Sequence, residues 1–162
     1  MDSMLTQAQV KELFDYDPET GIIRWMVRKG SVQAGTVAGS PNDRGYIQIR
    51  IDKTTYRAHR LAWLIFYGRW PENQIDHING IRTDNRIKNL REANAAQNAQ
   101  NQRTASSDNK SGYLGVSVFR NKWQAQIMVN GKNRYIGVYD TPEEAHEAYL
   151  AKKRELHEFN TL

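Results

Sequence analysis

The run NQIDHINGIRTDNRIKNLREANAAQNAQN at residues 73–101 concentrates the polar side chains that can do chemistry in this 162-residue chain. Asp76 and His77 are adjacent, Asn85 and Asn89 follow four residues apart, and Asn98 comes nine residues later. Taken singly, an Asp-His pair is more simply a turn beside a surface histidine, and asparagines commonly form turns and caps. Their joint order and spacing indicate a functional constellation instead.

This segment resembles the HNH endonucleases, in the branch with an Asp-His pair that phages and introns encode. The matching elements are IDHING (75–80), DNRIKNLRE (84–92) and the closing Asn98. The resemblance implies a ββα-metal fold, in which a hairpin presents Asp76 and His77, a loop carries Asn89 and a helix presents Asn98. It also implies that Asp76 and Asn98 hold one divalent metal ion. His77 is then the general base, and Asn89 holds the His77 loop through backbone hydrogen bonds.

The implied roles suit phosphodiester hydrolysis, which needs an activated water and a cation beside the leaving oxyanion. A neutral imidazole with a pKa of about 6.5 can accept the proton of water near neutral pH. One carboxylate and one amide oxygen are ligands for a hard cation, so the expected cofactor is Mg²⁺ or Mn²⁺, one ion per active site. Asp84 is the nearest second carboxylate, and zinc is not expected because the chain has no cysteine.

His59 and Arg60 lie 18 residues before the Asp-His pair, and members of this branch also carry a His-Arg there. His59 has two interpretations: a catalytic contact to phosphate shared with Arg60, or a histidine at a helix start that pairs with backbone. Further contacts to the DNA backbone are expected from the arginines around the motif. They are Arg57, Arg82, Arg86 and Arg91.

Residues 1–102 are predicted to form the HNH endonuclease domain, with a β-rich extension at 1–69 and the ββα-metal core at about 70–102. Thr6 is expected to cap a short helix that contains Val10, Leu13 and Phe14. GIIRWMV and YIQIRID are strand candidates, and Asp52-Lys53 is a hairpin turn between YIQIRID and TTYRAH. HRLAWLIFYG is predicted to be a helix that ends at Gly68.

Residues 103–111, RTASSDNKS, lack large apolar side chains and are predicted to be a linker. Beyond them, at 112–162, three alternating runs predict three strands: GVSVF (115–119), KWQAQIMV (122–129) and KNRYIGVY (132–139). Asn130-Gly131 is a type I′ hairpin signal, and Thr141-Pro142 starts an amphipathic helix. The fold class is therefore α+β: N-terminal strands and helix, the ββα module, then a three-stranded antiparallel sheet packed on one helix.

The C-terminal part resembles the ethylene-response-factor type of DNA-binding domain. The matching elements are GYLGV (112–116), KWQAQI (122–127) and YIGVYDTPEEAHEAY (135–149). The resemblance implies that the sheet lies in the major groove while the helix supports its other face. The expected DNA contacts are Arg120, Lys122, Trp123, Lys132, Arg134 and Tyr135. Trp123 and Tyr135 could instead be core residues, and Ser117 stands on the first strand where the family has arginine.

The net charge of +5 is distributed unevenly along the chain. Residues 1–56 are neutral, 57–103 carry +4, 104–139 carry +4 and 140–162 carry −3. Two basic segments therefore coincide with the predicted catalytic module and the predicted sheet, whereas the C-terminal helix is acidic. This pattern favours a DNA partner that meets the sheet and not the helix.

Composition excludes several classes of protein. The absence of cysteine excludes a disulfide scaffold and a thiol nucleophile. No run of about 18 apolar residues predicts a membrane span, and the first residues do not read as a secretory signal. The expected location is the cytoplasm, of a host cell if the protein is phage-encoded.

Three functions fit these features. The leading one is a metal-dependent endonuclease acting on double-stranded DNA, of nicking or homing type and of phage or prophage origin. The alternatives are a non-catalytic phage regulator that binds DNA with the same basic surfaces, and an accessory of phage genome packaging. The sequence leaves monomer or dimer open, since it shows no coiled-coil heptads.

Overall fold

The structure, a computed structural model, describes residues 5–162. The described chain is a mixed α and β protein with four α-helices and ten strands in four small antiparallel sheets. It divides into two compact units, the first extending to Ala93 and the second covering Asn94–Leu162. None of the described helices is long and apolar enough to cross a membrane.

The first unit begins with α1 (Gln7–Leu13), which Thr6 caps as predicted through a reciprocal capping box with Gln9. The prediction that Phe14 continues this helix is wrong. Phe14 opens strand β1 (Phe14–Tyr16), which pairs with β2 (Ile23–Trp25). Phe14 is 1% exposed and its ring lies 4.4 Å from that of Trp25, so burial against the partner strand overrides the helical spacing.

Three strands then form the second sheet: β3 (Ser40–Pro41), β4 (Ile47–Ile51) and β5 (Thr54–Arg57). Asp52 has a φ of 53° in the predicted β4–β5 turn. Helix α2 (Ala58–Tyr67) follows at once and ends at Gly68, which has a φ of 77° and donates its amide to the Leu64 carbonyl. The predicted hairpin and helix are both confirmed.

Strands β6 (Gln74–His77) and β7 (Leu90–Ala93) pair antiparallel, and a single 3-10 turn, Ile87–Asn89, leads into β7. The hydrophobic core of the first unit packs this hairpin against the preceding helices and strands. Ile75 and Leu90 are buried in the same cluster as the α2 side chains Leu61 and Leu64. The cluster also includes Val10, Phe14, Ile23, Trp25, Ile49 and Ile51.

The β1–β2 turn lies directly against the loop that precedes β7. The Tyr16 hydroxyl donates to the Asn85 carbonyl at 2.7 Å, and the Ile87 amide donates to the Pro18 carbonyl at 3.1 Å. Gly21, with a φ of 75°, is so close that an added Cβ would lie 2.4 Å from the Arg86 nitrogen. The N-terminal extension therefore braces the loop with backbone contacts as well as apolar packing.

The second unit starts with α3 (Ala95–Gln100), capped by Asn94. Strands β8 (Val116–Phe119), β9 (Lys122–Val129) and β10 (Lys132–Tyr139) form a sheet in the order β10-β9-β8, followed by α4 (Pro142–Leu156). Positive φ angles at Asn130 and Gly131 fit the predicted type I′ turn, and Thr141 caps α4 as predicted.

One face of this sheet packs on α4. Ala125 and Ile127 of β9 are buried with Ala145 and Tyr149 of the helix. Trp123 has the same strand parity and packs on this cluster, partly buried, which favours the core interpretation; its contact with DNA stays a prediction. The opposite face is open.

The predicted linker is folded onto the second unit. The Asn109 side-chain amide donates to the carbonyls of Tyr113 and Val116, and Arg103 donates to Thr161. The division between the units falls between Ala93 and Asn94, before this segment and after β7.

Candidate functional site

Asp76 and His77 are the last two residues of β6, opposite Arg91 and Leu90 of β7. Both side chains are buried, at 6% and 4% exposure. Two nitrogens of Arg91 contact Oδ2 of Asp76, Nε at 2.9 Å and Nη2 at 2.8 Å. Cross-strand pairing thus directs the Arg91 guanidinium to Asp76, and the predicted contact of Arg91 with DNA stays a prediction.

His77 is held by a polar contact from the following loop. Its Nε2 lies 3.2 Å from Oδ1 of Asn85. With this oxygen as the acceptor, Nε2 carries the proton and Nδ1 the basic lone pair. Burial lowers the pKa of His77 below its usual 6.5, opposed by the Asn85 hydrogen bond and the charge of Asp76. The ring is therefore neutral at neutral pH, the state that a general base needs.

Asn89 ties together the loop between His77 and the 3-10 turn. Its Oδ1 accepts from the Asn79 amide at 2.9 Å, and its Nδ2 donates to the Asp84 carbonyl at 2.8 Å. The Asn89 carbonyl accepts from the Ile78 amide at 2.9 Å. Three bonds from one residue thus span residues 78–84, which is the kind of contact that the resemblance implied for it.

Asp84 serves the same loop. Its carboxylate accepts from Arg86 Nε and from Asn79 Nδ2, both at 2.7 Å. The Arg86 hydrogen bond is the main reason why the pKa of Asp84 is lowered to about 2. Arg86, predicted to contact DNA, is thus engaged within the loop, although its side chain is 40% exposed.

His59 lies in the first turn of α2, beside His77, with ring centroids 5.1 Å apart in an edge-to-face arrangement. The expected contact of His59 with phosphate stays a prediction. Its side chain is 3% exposed, and burial, with the charges of neighbouring groups, lowers its pKa to about 3. In the described structure its buried Nδ1 has no hydrogen-bond partner.

Tyr46 is a site residue that the sequence analysis did not single out. Its ring lies 5.5 Å from His59 and 6.0 Å from His77. The guanidinium carbons of Arg57 and Arg82 lie 4.9 and 5.1 Å from its centroid. Tyr46 begins an alternating run 31 residues before His77, and nothing in that spacing relates it to the motif.

The other predicted DNA contacts lie in varied settings. Arg60 stacks on Trp70 with its guanidinium carbon 5.6 Å from the ring centroid. Arg120 lies over Phe119 at 5.5 Å, and Lys122 forms an ion pair with Asp140 at 2.7 Å. Lys132, Arg134 and Tyr135 are exposed on β10.

A hard divalent cation fits the oxygen donors that the motif supplies. Asp76 offers a carboxylate at the end of β6, and Asn98 offers an amide oxygen on α3 of the second unit. No cluster of three or more His, Cys, Asp or Glu side chains within residues 5–162 has the geometry of a metal site. Asp76 and Asn98 thus each carry a side-chain oxygen of the kind that a hard divalent cation prefers.

Comparison with known proteins points to the same motif. Residues 56–100 match the sequence model of the HNH endonuclease family, a range that starts in β5 and ends with α3. An uncharacterized HNH endonuclease of Acanthamoeba polyphaga mimivirus is 32% identical over 110 residues. That alignment covers 67% of this chain and 57% of the viral protein.

Both similarities support a nuclease of the HNH type. The family match ends before the C-terminal sheet, which begins at Val116. No solved structure matches the chain.

Proposed function

We propose that this chain is a divalent-metal-dependent endonuclease that hydrolyses phosphodiester bonds in double-stranded DNA. One observation carries the proposal: within the segment that matches the HNH endonuclease family, a buried, neutral His77 follows Asp76 at a strand end.

His77 acts as the general base in this proposal. Asn85 fixes the ring so that Nδ1 carries the lone pair, and this nitrogen takes a proton from the attacking water. Asn89 keeps the loop at residues 78–84 in place and thus acts through position. His59 packs against His77 and limits the orientations of its ring.

Asp76 and Asn98 are proposed to hold the metal ion, by analogy with the family. When bound, a divalent cation there stabilises the charge that develops on the leaving oxygen. Arg91 neutralises the Asp76 carboxylate and holds it against the β6–β7 hairpin.

The C-terminal sheet is proposed to bind DNA through its open face, as the ethylene-response-factor resemblance implies. Lys122 and Tyr135 share the strand parity of that face, and Arg120 lies in the β8–β9 turn. The acidic helix α4 packs on the other face, so it is directed away from phosphates on the open one. A nicking or homing enzyme of a phage or prophage agrees with this organisation and with the viral relative.

Incubating supercoiled plasmid with the protein and Mg²⁺ or Mn²⁺ tests the proposal. We expect nicked or linear products, none of them after chelation. His77→Ala should lower the rate about 10²- to 10⁴-fold because the general base is lost. Retained DNA binding and an unchanged melting temperature would show that this variant is folded.

The same assay separates the nuclease from a non-catalytic regulator. A wild-type protein that binds DNA but leaves it intact with every divalent ion would favour the regulator. Equal cleavage by wild type and His77→Ala would exclude His77 as the base.

A further inference from the structure

Tyr46 is at the centre of a cationic cluster beside the catalytic histidine, and this inference about it deepens the proposed function. Arg57 and Arg82 both lie within about 5 Å of its ring centroid, at 4.9 and 5.1 Å. The two arginines come from different elements, the end of β5 and the loop after β6. The tyrosine ring is the element that brings both cations to one place.

A tight turn fixes Tyr46 in this position. Asn42 Oδ1 accepts from the amides of Arg44 and Tyr46, both at 3.0 Å, and the Asn42 amide donates to the Tyr46 carbonyl at 2.9 Å. Arg82 Nη1 donates to the Arg44 carbonyl at 2.7 Å. The turn and the catalytic loop are therefore joined through the same arginine that lies over the ring.

Neither arginine of the cluster is balanced by an acid. Within residues 5–162, Arg57 and Arg82 form no ion pair, whereas Arg69, Arg86 and Arg91 each bind a carboxylate. Both residues are exposed. Two like charges held near one ring repel each other. An anion that binds between or beside them removes this repulsion and therefore stabilises the cluster most.

We propose that Tyr46 is a positioning residue that holds Arg57 and Arg82 as a clamp for DNA backbone phosphates next to His77. The ring face attracts both guanidiniums and limits their side-chain freedom before DNA arrives. The two arginines then bind phosphates that flank the scissile bond at a fixed position relative to His77. The ring centroids of His77 and Tyr46 are 6.0 Å apart. The aromatic face holds the two guanidiniums, and the Tyr46 hydroxyl is not needed for this.

The test measures binding of a short, labelled duplex of mixed sequence in the presence of a chelator. Every variant in the test keeps the His77 ring. Tyr46→Leu should weaken binding about three- to tenfold, because two cation–π contacts are lost. It should also lower the slope of log K against log salt by about one unit, as if one phosphate contact were lost. Tyr46→Phe keeps the ring and should bind like the wild type.

Matched variants separate positioning from a loss of fold. Tyr67→Leu removes another partly exposed tyrosine of the first unit, at the far end of α2 from His59, and should not change affinity or salt slope. Arg57→Met with Arg82→Met removes the clamp itself. In that background, Tyr46→Leu should have no further effect on binding, because the ring no longer has cations to hold.

The inference would be overturned if Tyr46→Leu bound DNA with wild-type affinity and slope, or if Tyr46→Phe bound as weakly as Tyr46→Leu. A fall in affinity equal in the presence and absence of the two arginines would also overturn it. Because the readout is binding, it does not depend on cleavage. A protein that never cuts DNA but shows these effects would refute the proposed function and keep the clamp.

Discussion

Asp76 is a buried carboxylate, since its side chain is 7% exposed. Arg91, 23% exposed, balances it from the neighbouring strand. The strand register that pairs these two residues therefore sets the electrostatic surroundings of Asp76. It decides which cation neutralises the carboxylate when no metal ion is bound.

Replacing Arg91 with methionine should destabilise the protein by about 2–3 kcal/mol, because a buried carboxylate loses its main partner. Thermal unfolding would measure this loss. Adding Mg²⁺ should restore part of the melting temperature if Asp76 binds the ion, since the ion then replaces the missing positive charge. Arg69→Met, which breaks an exposed ion pair with Glu92, is the matched control and should show no such rescue. An unchanged melting temperature in Arg91→Met would contradict this account.

At the scale of elements, the β1–β2 turn and the loop at residues 84–89 behave as one structure. Tyr16, Pro18 and Gly21 all contact this loop, and its Asn85 orients His77. A change in the turn should therefore reach His77 through the backbone.

Gly21→Ala tests this connection, because its Cβ would lie 2.4 Å from backbone and the residue has a φ of 75°. We expect a loss of more than about 3 kcal/mol in stability and a lower cleavage rate. Gly30→Ala has a similar φ of 61° but open space around it, so it should cost only about 1 kcal/mol and leave cleavage intact. Equal effects of the two substitutions would show that backbone strain, and not contact with the loop, is responsible.

Asp84 gives the same loop a pH dependence. Its pKa falls from 3.8 to about 2 on folding, so its contribution is fully present above pH 3.8 and is lost as the pH drops through about 2. The contribution is about 1 kcal/mol, since the partner Arg86 is partly exposed and water screens the pair. Urea unfolding of wild type and Asp84→Asn should differ near pH 6 and converge near pH 2. A gap that widens toward low pH would have the wrong sign.

At the scale of the whole molecule, the two faces of the C-terminal sheet differ in burial. Tyr135 is 64% exposed and shares its face with Gln126, whereas Trp123 packs on the core with Ala125. The strand period decides this, since neighbouring residues point to opposite sides.

Tyr135→Ala should therefore weaken DNA binding several-fold without changing the melting temperature. Trp123→Ala should instead destabilise the second unit by about 3 kcal/mol, since a large core ring is removed. Fluorescence anisotropy and thermal unfolding of both variants check the pair. A destabilised Tyr135→Ala, or a stable Trp123→Ala that has lost DNA binding, would reverse the assignment.

Local signals in the sequence were sufficient where the structure depends on neighbours along the chain. The Thr6 and Thr141 caps, the Gly68 stop and the Asn130-Gly131 turn are examples. Phe14 was misassigned because its partner, Trp25, comes from another strand. Tyr46 was missed for the same reason, as its neighbours come from β5, α2 and the loop after β6.

The predicted DNA contacts show the same limit. Arg86 and Arg91 carry the right charge for phosphate, yet acids on the loop and the adjacent strand engage them. Arg57 and Arg82 are arginines of the same region, but within the described chain no carboxylate forms an ion pair with them. Charge counts along a sequence therefore locate a basic region but do not tell which of its cations is committed to an internal pair.

The shared core of the first unit also limits how the segment that matches the family could be transplanted. Residues 56–100 are the part that the family pattern defines, but Ile75, Leu90 and the buried side of α2 pack on side chains from Val10 to Ile51. A graft beginning at Tyr56 would place these apolar surfaces in water and would lose the Tyr16 and Pro18 contacts to the loop. For protein engineering, the segment that can be transferred to another protein is therefore longer than the recognisable motif. It has to begin before α1.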